Sequence, residues 1–318
     1  MPKSYRGLTA KDEPAQNFQP IVSLGSRKVR TARRAEGTDK VTPSPPRSVH
    51  FSDFRLSITK ALGDQLAESL DKLTPAPLTT ENLDCVERTA GVYQLYHREE
   101  LVYVGKADQP LPSRIHQHLR KVSGRRNISL QDMKFTCLYV AEDFSALAPE
   151  RLLIKTHRKN GLAIWNNNGF GNKDPGKRRD ETLVKENHFD ALYPIDVDRK
   201  ISGLPSGKVE VGELLIEASK RIPYTFRYDK KGHSKSFRGI VDSSDTLSID
   251  QVFRLTTAAL PEDWQITILP GRAIMYPEPR IYPSALSYYR RGAATEVTPQ
   301  YGEAGLITEE SEDDTNSS

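Results

Sequence analysis

The chain has 318 residues, of which 36% are hydrophobic and 28% charged, with 21 Pro and 20 Gly. It is long enough for one to three domains with a substantial core, yet poorer in apolar residues than a wholly globular chain, so part of it is expected to be disordered. The net charge of +4 is unevenly spread: residues 1–50 carry 10 basic and 4 acidic residues, and residues 303–318 carry six acids and no Lys or Arg. Such a distribution fits a polyanionic partner and fits two solvated tails equally well. Cys85 and Cys137 stand far apart, without a CxxC pair or a Cys/His cluster. This speaks against a disulfide framework and a structural zinc, and a reducing cytoplasm is the expected setting. There is no signal-like apolar stretch, and no run approaches the roughly 18 apolar residues of a membrane span, so neither secretion nor a span is expected.

In chain order, residues 1–50, rich in Pro, Ser, Thr and Arg, read as a disordered basic arm. Residues 54–73 place Ile58, Ala61, Leu62, Leu66, Leu70 and Leu73 at helical spacing, with Ser52 and Asp53 able to cap the start and Pro75 and Pro77 beyond the end. Residues 91–96 (GVYQLY) and 101–105 (LVYVG) read as the two strands of a hairpin across the polar turn 97–100. A short basic helix over 113–121 and a strand over 135–140 follow. The helix predicted over 149–159 has Pro at its start and Gly161 past its end. Residues 162–165 are apolar, and 166–179 form a Gly/Asn/Pro-rich loop. Beyond residue 200, helices over 211–222 and 248–260 and strands over 264–269 and 272–276 predict a small α+β domain spanning 200–295. An acidic disordered tail is expected over 296–318, and no internal repeat is visible.

The chemistry gathers around the hairpin. Its strands carry Gly91-Val92-Tyr93 and Tyr103-Val104-Gly105, and Lys106 follows directly. A strand tyrosine alone is ordinary packing material. Here the pair is followed by Arg114 and His118, spaced i, i+4 and so on one helix face, then by Glu150 and by Asn166.

This order of residues and elements resembles the GIY-YIG nuclease superfamily, with Val92 and Val104 in place of the two isoleucines of its name. Trp165-Asn166 followed by Gly169-Phe170-Gly171-Asn172-Lys173-Asp174-Pro175-Gly176 is similar to the loop of GIY-YIG restriction endonucleases that cut CCGCGG, as is Phe189-Asp190-Ala191-Leu192-Tyr193-Pro194. The resemblance covers roughly residues 52–198. It implies an α/β (α+β) core: a small β-sheet with an N-terminal hairpin, flanked by helices, forming an endonuclease domain over 51–199. The stretch between Glu150 and Asn166 is a few residues longer than in that branch, which leaves Asn167 as the alternative to Asn166.

The resemblance also implies roles. Glu150 would be the one protein ligand of a Mg2+ ion, which prefers oxygen donors and keeps several waters. Tyr93 would take the proton of the attacking water, helped by Lys106, with Tyr103 orienting water or phosphate or sharing the base role. Arg114 would clamp phosphoryl oxygens. His118 would hydrogen-bond a tyrosine or the water, and Asn166 would brace the site. Two basic clusters, Arg120, Lys121, Arg125 and Arg126, and Lys173, Lys177, Arg178 and Arg179, are expected to meet DNA phosphates, with Asn172 beside the second. The implied function is Mg2+-dependent, site-specific cleavage of double-stranded DNA. A homodimer on a palindrome and a partner methyltransferase go with it. A non-catalytic DNA-binding protein on this fold, and a structure-specific repair or mobile-element nuclease, remain as alternatives.

Overall fold

The computed structural model of the chain describes residues 58–108, 110–140, 154, 162–171, 176–229 and 236–304. The basic arm of 1–50, the cap at Ser52 and Asp53, Glu150, Asn172, Lys173, most of the helix expected over 149–159 and the tail beyond residue 304 lie outside the described residues. Residues 55–318 cluster as one compact unit of α+β architecture, and the structure described below belongs to it.

Helix α1 (Ile58–Asp71) follows the expected spacing and ends ahead of the short strand β1 (Ala76–Pro77) and helix α2 (Thr80–Asp84). The hairpin is strands β2 (Gly91–His97) and β3 (Glu100–Ala107). His97 and Glu100 still pair, so the turn is only Arg98 and Glu99, at φ 51° and 69°. Two consecutive left-handed residues give the turn twist that suits a two-residue hairpin. Neither residue is the Asn or Gly usual there, which is why the sequence reads as a longer turn. Strand β4 (Met133–Tyr139) pairs antiparallel with β2, giving the order β1-β4-β2-β3 with β3 at an edge.

Helix α3 (Leu111–Ser123) exceeds its predicted span at both ends, taking Pro112 into its first turn, where the missing N–H costs nothing. Its apolar face, Leu111, Ile115 and Val122, packs with Tyr93, Leu95, Tyr103, Trp165, Phe170 and Phe189 on one side of the sheet. On the other side, Leu70 of α1 and Ile154 pack with Val92 and Val104. The alternation of a strand thus gives the hairpin two buried faces.

Short elements lead onward: strand β5 (Val184–Lys185), helix α4 (Phe189–Leu192), strand β6 (Lys200–Ile201), strand β7 (Gly207–Glu210) and helix α5 (Val211–Arg221). Strands β8 (Thr225–Tyr228), β9 (Ile240–Ser243) and β10 (Leu247–Ser248) precede helix α6 (Ile249–Ala259), which a Ser248/Gln251 capping box starts. The two strands expected here, β11 (Gln265–Leu269) and β12 (Arg272–Tyr276), lie inside a five-stranded sheet. With β13 (Ser287–Arg290) and β14 (Ala293–Glu296) its order is β14-β13-β11-β12-β8, and β8 runs parallel to β12. Leu214, Leu215 and Ala218 of α5 and Val252 and Phe253 of α6 pack in one core with Ile266, Ile268, Ala273 and Met275 of this sheet.

The acidic-tail boundary shifts. Residue 296 still belongs to β14, and β15 (Tyr301–Gly302) pairs parallel with β5, inside the segment that resembles the nuclease. The acids that mark the tail are concentrated beyond this strand, so composition placed the boundary too early.

Candidate active site

The register of the hairpin sets Tyr93 opposite Gly105 and Tyr103 opposite Leu95, which brings both phenols to the face under α3. Their ring centroids are 6.1 Å apart. The register slips between Leu95 and Tyr96, next to Tyr103, a place where an irregular strand can re-aim a side chain. Gly105 is required by this packing: a Cβ there would stand 2.3 Å from both Cζ and Oη of Tyr93 and 2.8 Å from Cε1 of Tyr103.

Helix α3 lays His118 and Arg114 over the pair. Nε2 of buried His118 is 2.7 Å from the Tyr93 hydroxyl, so the structure selects a tyrosine as its partner. Its ring is 5.2 Å from Tyr103 and stacks on Phe170 at 4.8 Å. Burial, then the charges of Arg114 and Lys121, hold its pKa well below the ordinary histidine value. At neutral pH it is therefore an uncharged imidazole, with one N–H donor and one acceptor nitrogen. Arg114 is half-buried. Burial works against its charge, but the phenol oxygens of Tyr93 and Tyr103 outweigh it and raise the pKa. Arg114 is thus the cation that the two phenols share, and its Nη1 also donates to Gln117 Oε1 at 2.9 Å.

Lys106 is placed differently from the expectation. It pairs in register with Val92, so alternation puts it with Val104 on the face away from the phenols, where its Nζ forms an ion pair with Asp108. The cation beside Tyr93 is Arg114. Asn166 is bonded to the edge strand of the hairpin. Its Oδ1 accepts from Val104 N at 2.9 Å and its Nδ2 donates to Val104 O at 2.7 Å. With Ala163 N donating to Leu101 O at 3.0 Å, this segment supplies the partners that an edge strand lacks, one residue from Tyr103.

The first basic cluster is largely engaged within the molecule. Arg120 donates to the backbone oxygens of Lys220 and Ile222 at 3.0 and 2.7 Å. Arg125 is buried and forms an ion pair with Asp190 at 2.8 Å. It also donates to Tyr193 O and Pro270 O. Arg126 reaches Asp198 at 2.6 Å. Lys121 donates to Phe170 O and lies over the rings of Phe170 and Phe189. Burial lowers its pKa to about 8, with Arg125 and Arg114 adding to the effect and Asp190 opposing it. In the second cluster Lys177 lies over Tyr276 near Glu278, while Arg178 and Arg179 are exposed.

Two residues that sequence reading passed over belong to this neighbourhood. Asp190 sits in a recognisable segment, but its pairing with Arg125 has no signature in the sequence. Arg272 borders the same cavity as Arg114 and His118 from a strand more than a hundred residues away, and nothing local marks it.

The hairpin thus presents two tyrosines beneath a helix that bears arginine and histidine. Residues 101–197 match the family model described as the Eco29kI GIY-YIG domain. Tyr103, Lys106, Arg114, His118, Glu150 and Asn166 fall inside the matched stretch, and Tyr93 lies just ahead of it. The match covers less than half of the chain and none of the five-stranded sheet. No curated protein matches the chain. No helix among the described residues is long and apolar enough to cross a membrane.

Proposed function

We propose that this chain is a restriction-type endonuclease that cuts double-stranded DNA at a specific site by Mg2+-dependent hydrolysis. The observation that carries the reading is the Tyr93–His118–Arg114–Tyr103 cluster, in a segment similar to a nuclease domain of restriction-enzyme name.

Among the described residues no group of three or more His, Cys, Asp or Glu side chains could hold a metal ion. Mg2+ prefers oxygen donors and keeps several waters, so one carboxylate can suffice where DNA phosphate supplies another oxygen. Glu150 is the carboxylate assigned to hold it. The bound ion would polarise the phosphate and ease departure of the 3′ oxygen. The chain's own groups do the rest. Arg114 stabilises negative charge on either phenol oxygen, so that a tyrosine can take a proton from water. His118, neutral and held against Tyr93, orients that hydroxyl without adding a further charge. Arg114 also offers planar donors to phosphoryl oxygens. Lys173, Lys177, Arg178 and Arg179, with Asn172, are the DNA contacts we propose outside the cleft. A CCGCGG-like site, a homodimer and a partner methyltransferase belong to the same proposal.

The test is cleavage of plasmid and phage DNA with Mg2+ or EDTA, beside Glu150→Ala and Tyr93→Phe. Discrete fragments that require Mg2+, disappear with Glu150→Ala and slow by about 10²–10⁴-fold with Tyr93→Phe are expected. A smear with the same dependences would remove site specificity. Tight DNA binding without any cutting would remove the enzyme.

A further inference from the structure

Beside α3 lies a cavity of about 480 Å³, within the range of about 300–1,000 Å³ typical of ligand sites. One wall is the nuclease segment, with Arg114, His118, Lys121 and Phe170. The other is the C-terminal region, with Tyr224 and Thr225 of the β8 strand end and Arg272 of β12. The second wall is fixed to the first. Arg120 is bonded to the last turn of α5, and Arg199 Nη1 donates to Ser123 O at 2.6 Å. A Cβ on Gly124 would meet Pro223 at 2.5 Å, and one on Gly271 would meet the Asp190 carboxylate at 2.2 Å. The two glycine backbones thus pack directly against side chains of the opposite wall.

The charge of the cavity is one-sided. Arg114, Arg120, Lys121, Arg125 and Arg272 line it, and among the described lining residues Asp190 is the one carboxylate, already 2.8 Å from Arg125. Arg272 has Asp180 at 2.8 Å, but that carboxylate is shared with Arg227 at 2.6 Å. Partly buried cations in excess of their counter-charges are costly unless an anion completes them. Burial lowers the pKa of Lys121 to about 8, the same strain expressed at one residue.

We propose that this cavity holds a backbone phosphate of the bound DNA strand, next to the scissile one, and that the C-terminal region is thereby the second jaw of the DNA cleft. The inference rests on the nuclease reading for the position of the scissile phosphate. Arg114 links the two: it borders the cavity and touches both phenols. A phosphodiester spreads its charge over several oxygens, which suits a ring of guanidinium and ammonium donors approaching from two walls. It fixes the strand without reading sequence, as phosphate contacts do.

Thr225 offers the test, because it is exposed at the cavity wall and pairs in register with Arg272. Binding of a fluorescein-labelled duplex is measured in EDTA across a salt series for the full chain, Thr225→Glu and Thr225→Lys. Gln117→Glu, on the opposite wall, serves as a second variant. The expected result is about tenfold weaker binding for each glutamate variant, with a salt slope shallower by about one contact, and a steeper slope for the lysine variant. Equal affinities and slopes in all four proteins would overturn the proposal. It would also fall if inorganic phosphate raised the thermal midpoint of the parent but not of Thr225→Glu while duplex binding stayed equal, since the site would then take free phosphate. If the parent cuts no DNA yet the slopes order as expected, the nuclease reading fails and the DNA jaw stands.

Discussion

At the residue scale the site depends on two close fits, and each gives a prediction. Gly105 leaves room for the Tyr93 ring across β3, and a methyl group there would overlap both Cζ and Oη of that ring. Gly105→Ala is expected to destabilise by about 1–3 kcal/mol through overpacking and to displace the phenols. Cleavage should then fall by far more than the folded fraction does, as measured by thermal melts beside initial rates. His118 gives the second. Unfolded, it titrates near the ordinary histidine value, whereas folded it takes up a proton only well below that value. As pH falls from 7 through about 6.5, the unfolded chain gains a proton that the folded chain refuses, and stability drops by up to about 1.4 kcal/mol per pH unit for this one group. The burial-lowered His97 and His188 add the same trend in the parent. The difference between parent and His118→Gln in denaturant melts from pH 7.5 to 5 isolates His118. If the two curves run parallel, His118 is not held neutral by the fold.

At the element scale the hairpin is the part most legible in the sequence, and its turn is the part least so. Arg98 and Glu99 both hold left-handed backbone, yet neither is Asn or Gly, and their ion pairs with Asp132 and Lys134 are exposed. Exposed pairs contribute little, about 0–1 kcal/mol, whereas left-handed β-carbon residues carry a steric cost. Replacing the pair with Asn-Gly is expected to raise stability by about 1 kcal/mol and leave cleavage unchanged, read by urea melts and rates. The same contrast explains what the sequence revealed. Tyr93, Tyr103, Arg114 and His118 were legible because strand alternation and i, i+4 spacing are local rules, and β2, β3 and α3 obey them. The face on which Lys106 lies is equally local: strand alternation counts it away from the phenols, against the role that the resemblance implies. The short strands β8, β13 and β14 were not legible. Each has only four residues and takes its place from neighbours that a local pattern does not contain.

At the scale of the whole molecule, the basic cluster after α3 changes meaning. Read along the chain, Arg120, Arg125 and Arg126 are a positive patch. In three dimensions they are ties: to the end of α5, to Asp190 and Pro270, and to Asp196 and Asp198. No local rule separates a solvated arginine from one that a distant backbone carbonyl will claim, so this part of the site was illegible until the C-terminal region was placed. Arg125 is the tie with the most at stake. Burial alone opposes its charge, and Asp190 answers it. The Asp190 carboxyl is likewise opposed by burial, yet Arg125, then Lys121 and His188, hold its pKa below the ordinary value. Asp190→Ala therefore strands a buried guanidinium and is expected to cost about 3–5 kcal/mol. A chain that keeps its fold should also lose the junction between the segment matched by the family model and Pro270, exposing it to limited proteolysis. Arg125→Met in the Asp190→Ala background removes the stranded charge and should recover most of the loss, a coupling that two independent sites would not show. Urea melts of the parent, both single variants and the double variant complete the cycle. Additive losses would mean that the pair does not join the two regions. A recovered double variant that melts like the parent but cuts poorly would mean that the junction serves the geometry of the cleft beyond its share in stability.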